Sequence, residues 1–278
     1  MEKNFTIKGN QLACTLEGDP KAPSIILIHD LFSHREVWKQ TITALKGKYY
    51  CIAIDLLGFG ASDKPKDGDY SIAAQGERIL LLANQLGIRD FSLIGHSMGG
   101  QIVFCIAAVM APQRVKKLVC VAGLTTGAYS NRMEKVNFSL IRNGRKWPWL
   151  YEIAASWINF RPFVSFYFKP WFHNIDVFPF ASWEIDRRAA LNPACAISYD
   201  ESQKSIHTLD LTQHLRKIKV KTLLIHGKQD ATVLLEQALL AQTLIPDNDL
   251  ALIENCGHFP MYEKATQYLR ALDLIFGS

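Results

Sequence analysis

Nowhere in the 278 residues does an apolar run approach the roughly 20 needed to cross a bilayer. The opening MEKNFTIKGNQ has no basic segment followed by an apolar one, so no secretory leader is read there and a cytoplasmic protein is expected. None of the six cysteines, Cys14, Cys51, Cys105, Cys120, Cys195 and Cys256, has CxxC spacing. Most sit inside apolar runs, which reads as buried free thiols and argues against a zinc site. Charge of one sign is sparse too. The net charge of +5 is local, because seven basic residues (Arg132, Lys135, Arg142, Arg145, Lys146, Arg161, Lys169) meet only Glu134 and Glu152 between 132 and 169. A nucleic-acid binder would show a broader basic field, so no nucleic-acid partner is expected. Internal repeats, low-complexity tracts and long linkers are also missing.

What the chain does have is alternation. Residues 5–18, FTIKGNQLACTLEG, read as two strands around a turn at Gly9-Asn10. Residues 24–29, SIILIH, form a continuous apolar run, the pattern of a strand buried on both faces. Helical spacing follows over 35–45 through Val37, Trp38, Ile42 and Leu45. Next come a strand over 49–56, a turn at Gly58-Phe59-Gly60 and a helix over 71–86 that stops at Gly87. Strands are predicted over 91–94 and 115–122, with a helix over 101–110 between them. From about 125 to about 210 the rhythm stops, and five of the six tryptophans fall in that stretch. It resumes as strand 221–226, helix 233–244, strand 250–253 and helix 261–276. Repeated strand–helix units predict an α/β fold with a mostly parallel sheet and helices on both faces. The interruption reads as an insertion at one end of that sheet.

The strand at 91–94 runs into Gly95-His96-Ser97-Met98-Gly99-Gly100 and then a helix. Ligands of such sheets bind beyond the carboxyl ends of the strands, where Ser97 falls. A turn that tight imposes an unfavourable backbone on its apex and admits only small neighbours, which Gly95, Gly99 and Gly100 supply. This is the G-x-S-x-G nucleophile elbow; a plain glycine turn whose serine caps the helix is the competing reading. A serine hydroxyl needs a base, and the base an orienting acid. LLIHGKQD places Asp230 just past a strand, and IENCGHFP places His258 just past the last one. Ser, Asp, His is the chain order that accompanies this elbow. The oxyanion of acyl transfer needs two donors. The backbone N–H of Met98 is one; Leu31, in HDLFSH, is chosen as the other, with Phe32 as the alternative.

Together the segments ILIHDLF, DLLGFGASDKP, LIGHSMGG, LLIHGKQD and CGHFPMYE resemble the α/β-hydrolase superfamily over nearly the whole chain. The resemblance implies an eight-stranded sheet, Ser97 as nucleophile, His258 as base, Asp230 as orienter and a helical cap inserted after the sixth strand. The implied division is a core of 1–124 and 211–278 with an aromatic-rich cap over 125–210. The D-x-x-G-x-G-x-S run over 55–62 is a structural turn of the family. One departure stands out: the family usually has His-Gly where this chain has His29-Asp30. Aspartate tolerates left-handed backbone better than most residues. Its carboxylate would nevertheless oppose charge developing in an oxyanion hole, so Asp30 is expected either to point away or to tune substrate choice. His29, His96 and His226 read as structural, and Glu263 as a helix-surface charge.

WPWLY and FVSFYFKPWF dominate the insertion. They read as a small helical lid whose aromatics line an acyl pocket; the alternative is a lid that also touches a lipid surface. Phe32, Trp147, Trp157 and Phe259 are the substrate-binding candidates. The expected function is a serine hydrolase of carboxylic esters with apolar acyl groups, working through an acyl-enzyme with no metal or organic cofactor, as monomer or dimer. One alternative is hydrolysis of carbon–carbon bonds in ring-fission diketones, with Arg161, Arg187 and Arg188 holding polar groups. The other is a barely catalytic ligand receptor, favoured only by Asp30.

Overall fold

The computed structural model describes residues 1–128, 147, 149, 162, 165, 168–179 and 193–277. Eight strands make one sheet: β1 (Glu2–Ile7), β2 (Asn10–Glu17), β3 (Ser24–Ile28), β4 (Tyr50–Ile54), β5 (Phe91–His96), β6 (Val115–Val121), β7 (Thr222–Gly227) and β8 (Asn248–Ile253). Their spatial order is β1-β2-β4-β3-β5-β6-β7-β8. The pairs β1–β2 and β2–β4 are antiparallel; β3 to β8 run parallel. The described helices are α1 (Lys39–Leu45), α2 (Ile72–Gln85), α3 (Met98–Cys105), α4 (Pro193–Thr208), α5 (Thr212–Leu215), α6 (Leu235–Leu244), α7 (Pro260–Glu263) and α8 (Ala265–Phe276).

The side-chain period of two divides each central strand between two cores. On β3, Ile26 and Ile28 join one cluster with Ile72, Ile79 and Leu82 of α2 and Ile102 and Val103 of α3. Ile25 and Leu27 join the other with Trp38, Ile42, Tyr268 and Leu272. All five β3 residues are buried. At about 1.5–3 kcal/mol per fully buried large aliphatic side chain, one such strand contributes several kcal/mol before chain entropy is subtracted.

Three local predictions shift. The first turn is formed by Lys8 (φ 50°) and Gly9 (φ 80°), and Asn10 opens β2 opposite Ile7. Both central residues are left-handed, as a tight two-residue hairpin requires. The stretch over 35–45 is a tight turn at Arg35–Trp38 leading into α1. The last helix is two, because Lys264 leaves helical geometry (φ −137°, ψ 50°) between α7 and α8. The turn over 55–62 is structural: Asp55 accepts the backbone N–H groups of Arg35 (2.6 Å) and Ala61 (2.8 Å) and pairs with the Arg35 guanidinium. At the far side of the sheet, Leu211 N–H donates to Thr125 O (3.1 Å), joining the two stems of the long interruption. Gln237 accepts the N–H groups of Thr125 and Thr126 beside them (both 2.9 Å).

The chain leaves β3 toward β4 on one side, while β5 lies on its other side. The strand order reverses there, and crevices open at such switch points. The loops after β3 and β5 leave the sheet at that switch point.

Candidate active site

Ser97 follows β5 and is the residue before α3, with φ 52° and ψ −112°. That left-handed backbone is strained for a residue with a Cβ, costing about 1–3 kcal/mol. Ser97 N–H is held by Val121 O (2.9 Å), and its side chain makes no capping bond to the helix. The hydroxyl therefore is not spent as a helix cap. The neighbouring glycines are compulsory. A Cβ on Gly95 would lie 2.2 Å from Gly99 O, and one on Gly99 would lie 2.2 Å from Ile28 O. Gly99→Ala is expected to push α3 off β3 and to cost about 1–3 kcal/mol, the range for overpacked cores. Urea unfolding of the variant would show it; an unchanged midpoint would mean the helix yields freely.

Asp230 lies three residues past β7. Its Oδ1 accepts the N–H groups of Thr232 (2.7 Å) and Val233 (3.0 Å), which fixes the carboxylate plane. Its Oδ2 is 2.7 Å from His258 Nδ1. Asp230 is acceptor-only, so Nδ1 carries the proton and Nε2 is left as the basic nitrogen. Burial opposes a charged imidazole at His258. The charge and hydrogen bond of Asp230, with smaller contributions from Asp30 and Glu263, outweigh it and hold the pKa above its ordinary value. Burial also opposes the Asp230 carboxylate, but His258, His226 and the Thr232 N–H outweigh it and hold that pKa low. Ser97, Asp230 and His258 are all buried. The His258 ring is 4.8 Å from the ring of His96, the residue before Ser97. Among the described residues Ser97 Oγ has no hydrogen-bond partner.

Met98 is the first residue of α3, where backbone N–H groups have no helical acceptor. Among the described residues neither its N–H nor that of Leu31 is donated to another group. The left-handed residue of the loop after β3 is Phe32 (φ 65°), not Asp30. The tolerance expected of aspartate is therefore not what shapes the loop.

A family model of the α/β-hydrolase fold matches residues 23–265. The chain belongs to that family. It is 27% identical over 228 residues to 2-hydroxymuconate semialdehyde hydrolase of Pseudomonas putida, covering 80% of this chain and 75% of the relative. It is 24% identical over 268 residues to pimeloyl-[acyl-carrier protein] methyl ester esterase of Nitrosomonas europaea, covering 94% and 98%. The enol-lactonase of Burkholderia xenovorans superposes with a TM-score of 0.83 at 20% identity, over 99% of this chain and all of that one.

The remaining site residues of this α/β-hydrolase divide as follows. Phe259 packs its ring 5.3 Å from that of His258 and stacks on Phe172 (5.0 Å, 12°). Phe32 meets Tyr199 edge-on at 5.6 Å. Trp147 is 53% exposed, with its ring 6.3 Å from that of Trp149, which is 56% exposed. Trp157 and Arg161, Arg187 and Arg188 lie outside the described residues. His29 bonds Asp30 O (2.6 Å) and Leu56 N (3.0 Å), and His226 bonds Val233 O (2.9 Å), each fastening backbone.

Glu263 overturns its reading as a surface charge. Its carboxylate accepts the N–H groups of Gly257 (2.8 Å) and Asn174 (2.9 Å). Beside it, His258 N–H donates to Trp171 O (2.7 Å). Glu263 therefore ties the segment 171–174 to the loop that carries His258. Its position one turn of α7 beyond His258 was the available signal, but its acceptors come from a distant stretch of chain. Glu263→Ala is expected to cost about 1–3 kcal/mol at the part-buried Gly257 N–H, little at the exposed Asn174 N–H, and to lower kcat several-fold. Thermal unfolding with ester kinetics on the same variant checks it; wild-type values in both would leave the clamp without consequence.

Proposed function

We propose that this hydrolase cleaves carboxylic esters of apolar acyl groups through a serine-bound acyl intermediate. The observation that carries the reading is the 2.7 Å bond from His258 Nδ1 to Asp230, at the rim where Ser97 stands on its strained turn. His258 Nε2 removes the Ser97 proton as Oγ attacks the ester carbonyl. The tetrahedral oxyanion is received by the Met98 and Leu31 N–H groups, at the positive end of α3. His258 then returns the proton to the leaving alkoxide, and repeats the cycle with water to release the acid. Asp230 holds the tautomer and offsets the imidazolium charge. No metal or organic cofactor takes part. Phe259 and Phe32 supply apolar surface beside the base. The catalytic core comprises 1–124 and 211–278, and 125–210 form the cap. The exposed pair Trp147 and Trp149 favours a cap that touches a lipid surface as well.

A second reading, hydrolysis of carbon–carbon bonds in ring-fission diketones by the same triad, draws support from the likeness to the semialdehyde hydrolase. Nitrophenyl esters of graded acyl length assayed beside a vinylogous diketone separate the two. The expected result is turnover of the esters; turnover of the diketone alone would reverse the assignment. Labelling with a fluorophosphonate followed by peptide mapping should give a single adduct, on Ser97.

The base acts only when neutral. Because its pKa is held above the ordinary imidazole value, ester hydrolysis should fall as pH drops through a midpoint above that value. A pH–rate profile of kcat/KM reads the midpoint, and one below the ordinary imidazole range would contradict the assignment of His258.

A further inference from the structure

Asp30 stands in the loop after β3, and the mechanism above gives it no part. Its side chain is 9% exposed and turned toward that of His96, which is fully buried. His96 Nε2 lies 2.8 Å from His258 O. A carbonyl only accepts, so Nε2 carries a hydrogen, and in a neutral ring Nδ1 would then be a bare acceptor. Nδ1 sits 3.4 Å from Asp30 Oδ1, which is another acceptor. Neither atom has a hydrogen-bond partner among the described residues, and the pair is not aligned as a finished bond. Two buried lone pairs facing one another are costly unless a proton lies between them.

We propose that Asp30 and His96 share a buried proton and, as a pair, position the main chain of His258. Asp30 is thus a positioning residue for the base; this rests on the triad reading above. The His258 peptide is held at both ends, by His96 at its carbonyl and by Trp171 O at its N–H. The shared proton also offsets a carboxylate that would otherwise oppose the oxyanion from the adjoining loop. The titratable groups that act on the pair are His29 from the same loop, His258 from the last loop and His226 from the end of β7. Burial alone would raise the Asp30 pKa, but His96, with His258 and His29, outweighs it and keeps the carboxylate ionised.

The test combines nitrogen NMR of histidine-labelled full-length protein with fluorophosphonate labelling and ester kinetics. Wild type should show His96 with both ring nitrogens protonated. Asp30→Asn should show it neutral, its Nδ1 accepting from the new amide. Asp30→Ala is expected to lose about ten- to a hundredfold in kcat with KM nearly unchanged, the scale of a misplaced catalytic group. Asp30→Asn should recover most of that loss. A neutral His96 with a bare Nδ1 in wild type, or wild-type kcat in Asp30→Ala, overturns the proposal. The spectra of wild type and Asp30→Asn decide it even if Asp30→Ala does not fold. If wild-type Ser97 takes no label, the hydrolase reading fails, while the spectra still test the pair.

Discussion

Ser97→Ala is expected to lower kcat for a nitrophenyl ester by about 10⁴- to 10⁶-fold while leaving the fold intact. In barrier height that is about 5–8 kcal/mol. The fold should survive because the Ser97 hydroxyl supports nothing else: it does not cap α3, and its backbone N–H, held by Val121 O, remains in alanine. Removing Oγ removes the only atom on the turn able to bond the acyl carbon. What remains is the pair of N–H groups at Met98 and Leu31, which can still stabilise attack by water, so some residual rate is expected. Circular dichroism, urea unfolding and fluorophosphonate labelling accompany the kinetics. A variant retaining more than about one per cent of the rate, or still taking the label elsewhere in the cleft, would remove Ser97 from the nucleophile's role.

Asp230→Asn is expected to cost about 10⁴-fold in kcat, with a small change in KM. The carboxylate serves three donors: Thr232 and Val233 N–H at Oδ1 and His258 Nδ1–H at Oδ2. An amide has one oxygen. If that oxygen stays with the two backbone groups, its NH₂ faces His258 and demands an acceptor at Nδ1. The ring then carries its hydrogen on Nε2, toward Ser97, and cannot take the serine proton. The charge is lost as well. Asp230 supplies the main upward push on His258, so whatever activity survives should persist to lower pH than in wild type. Measuring kcat across pH for both proteins tests both parts. A loss below about tenfold, or an acid limb moved to higher pH, would mean that another group orients the base. The same pair sets opposite stability trends. The raised pKa of His258 contributes stability at low pH that is lost as pH rises through it, while the depressed pKa of Asp230 contributes stability at neutral pH that is lost as pH falls through it.

Much of this was legible in the chain. SIILI of β3 announced a strand buried on both faces, and the two cores it divides follow from the period of two. Gly95 and Gly99 flank Ser97 because no Cβ fits there, a constraint visible in residue type alone. Helix ends were less legible: Lys264 is an ordinary helix former, and nothing local marks the break between α7 and α8.

By itself the sequence determined the α/β class, the elbow at Ser97 and the order of Ser97, Asp230 and His258 past the ends of three strands. Each of these depends on local sterics or on a periodic pattern that a few neighbouring residues encode. Only the tertiary structure decided what Asp30, His96 and Glu263 touch. Their partners lie far away in the chain: His96 reaches across 162 positions to His258, and Glu263 across 89 to Asn174. A buried polar atom must find a partner wherever packing places one, and packing brings together segments whose local patterns carry no mark of each other.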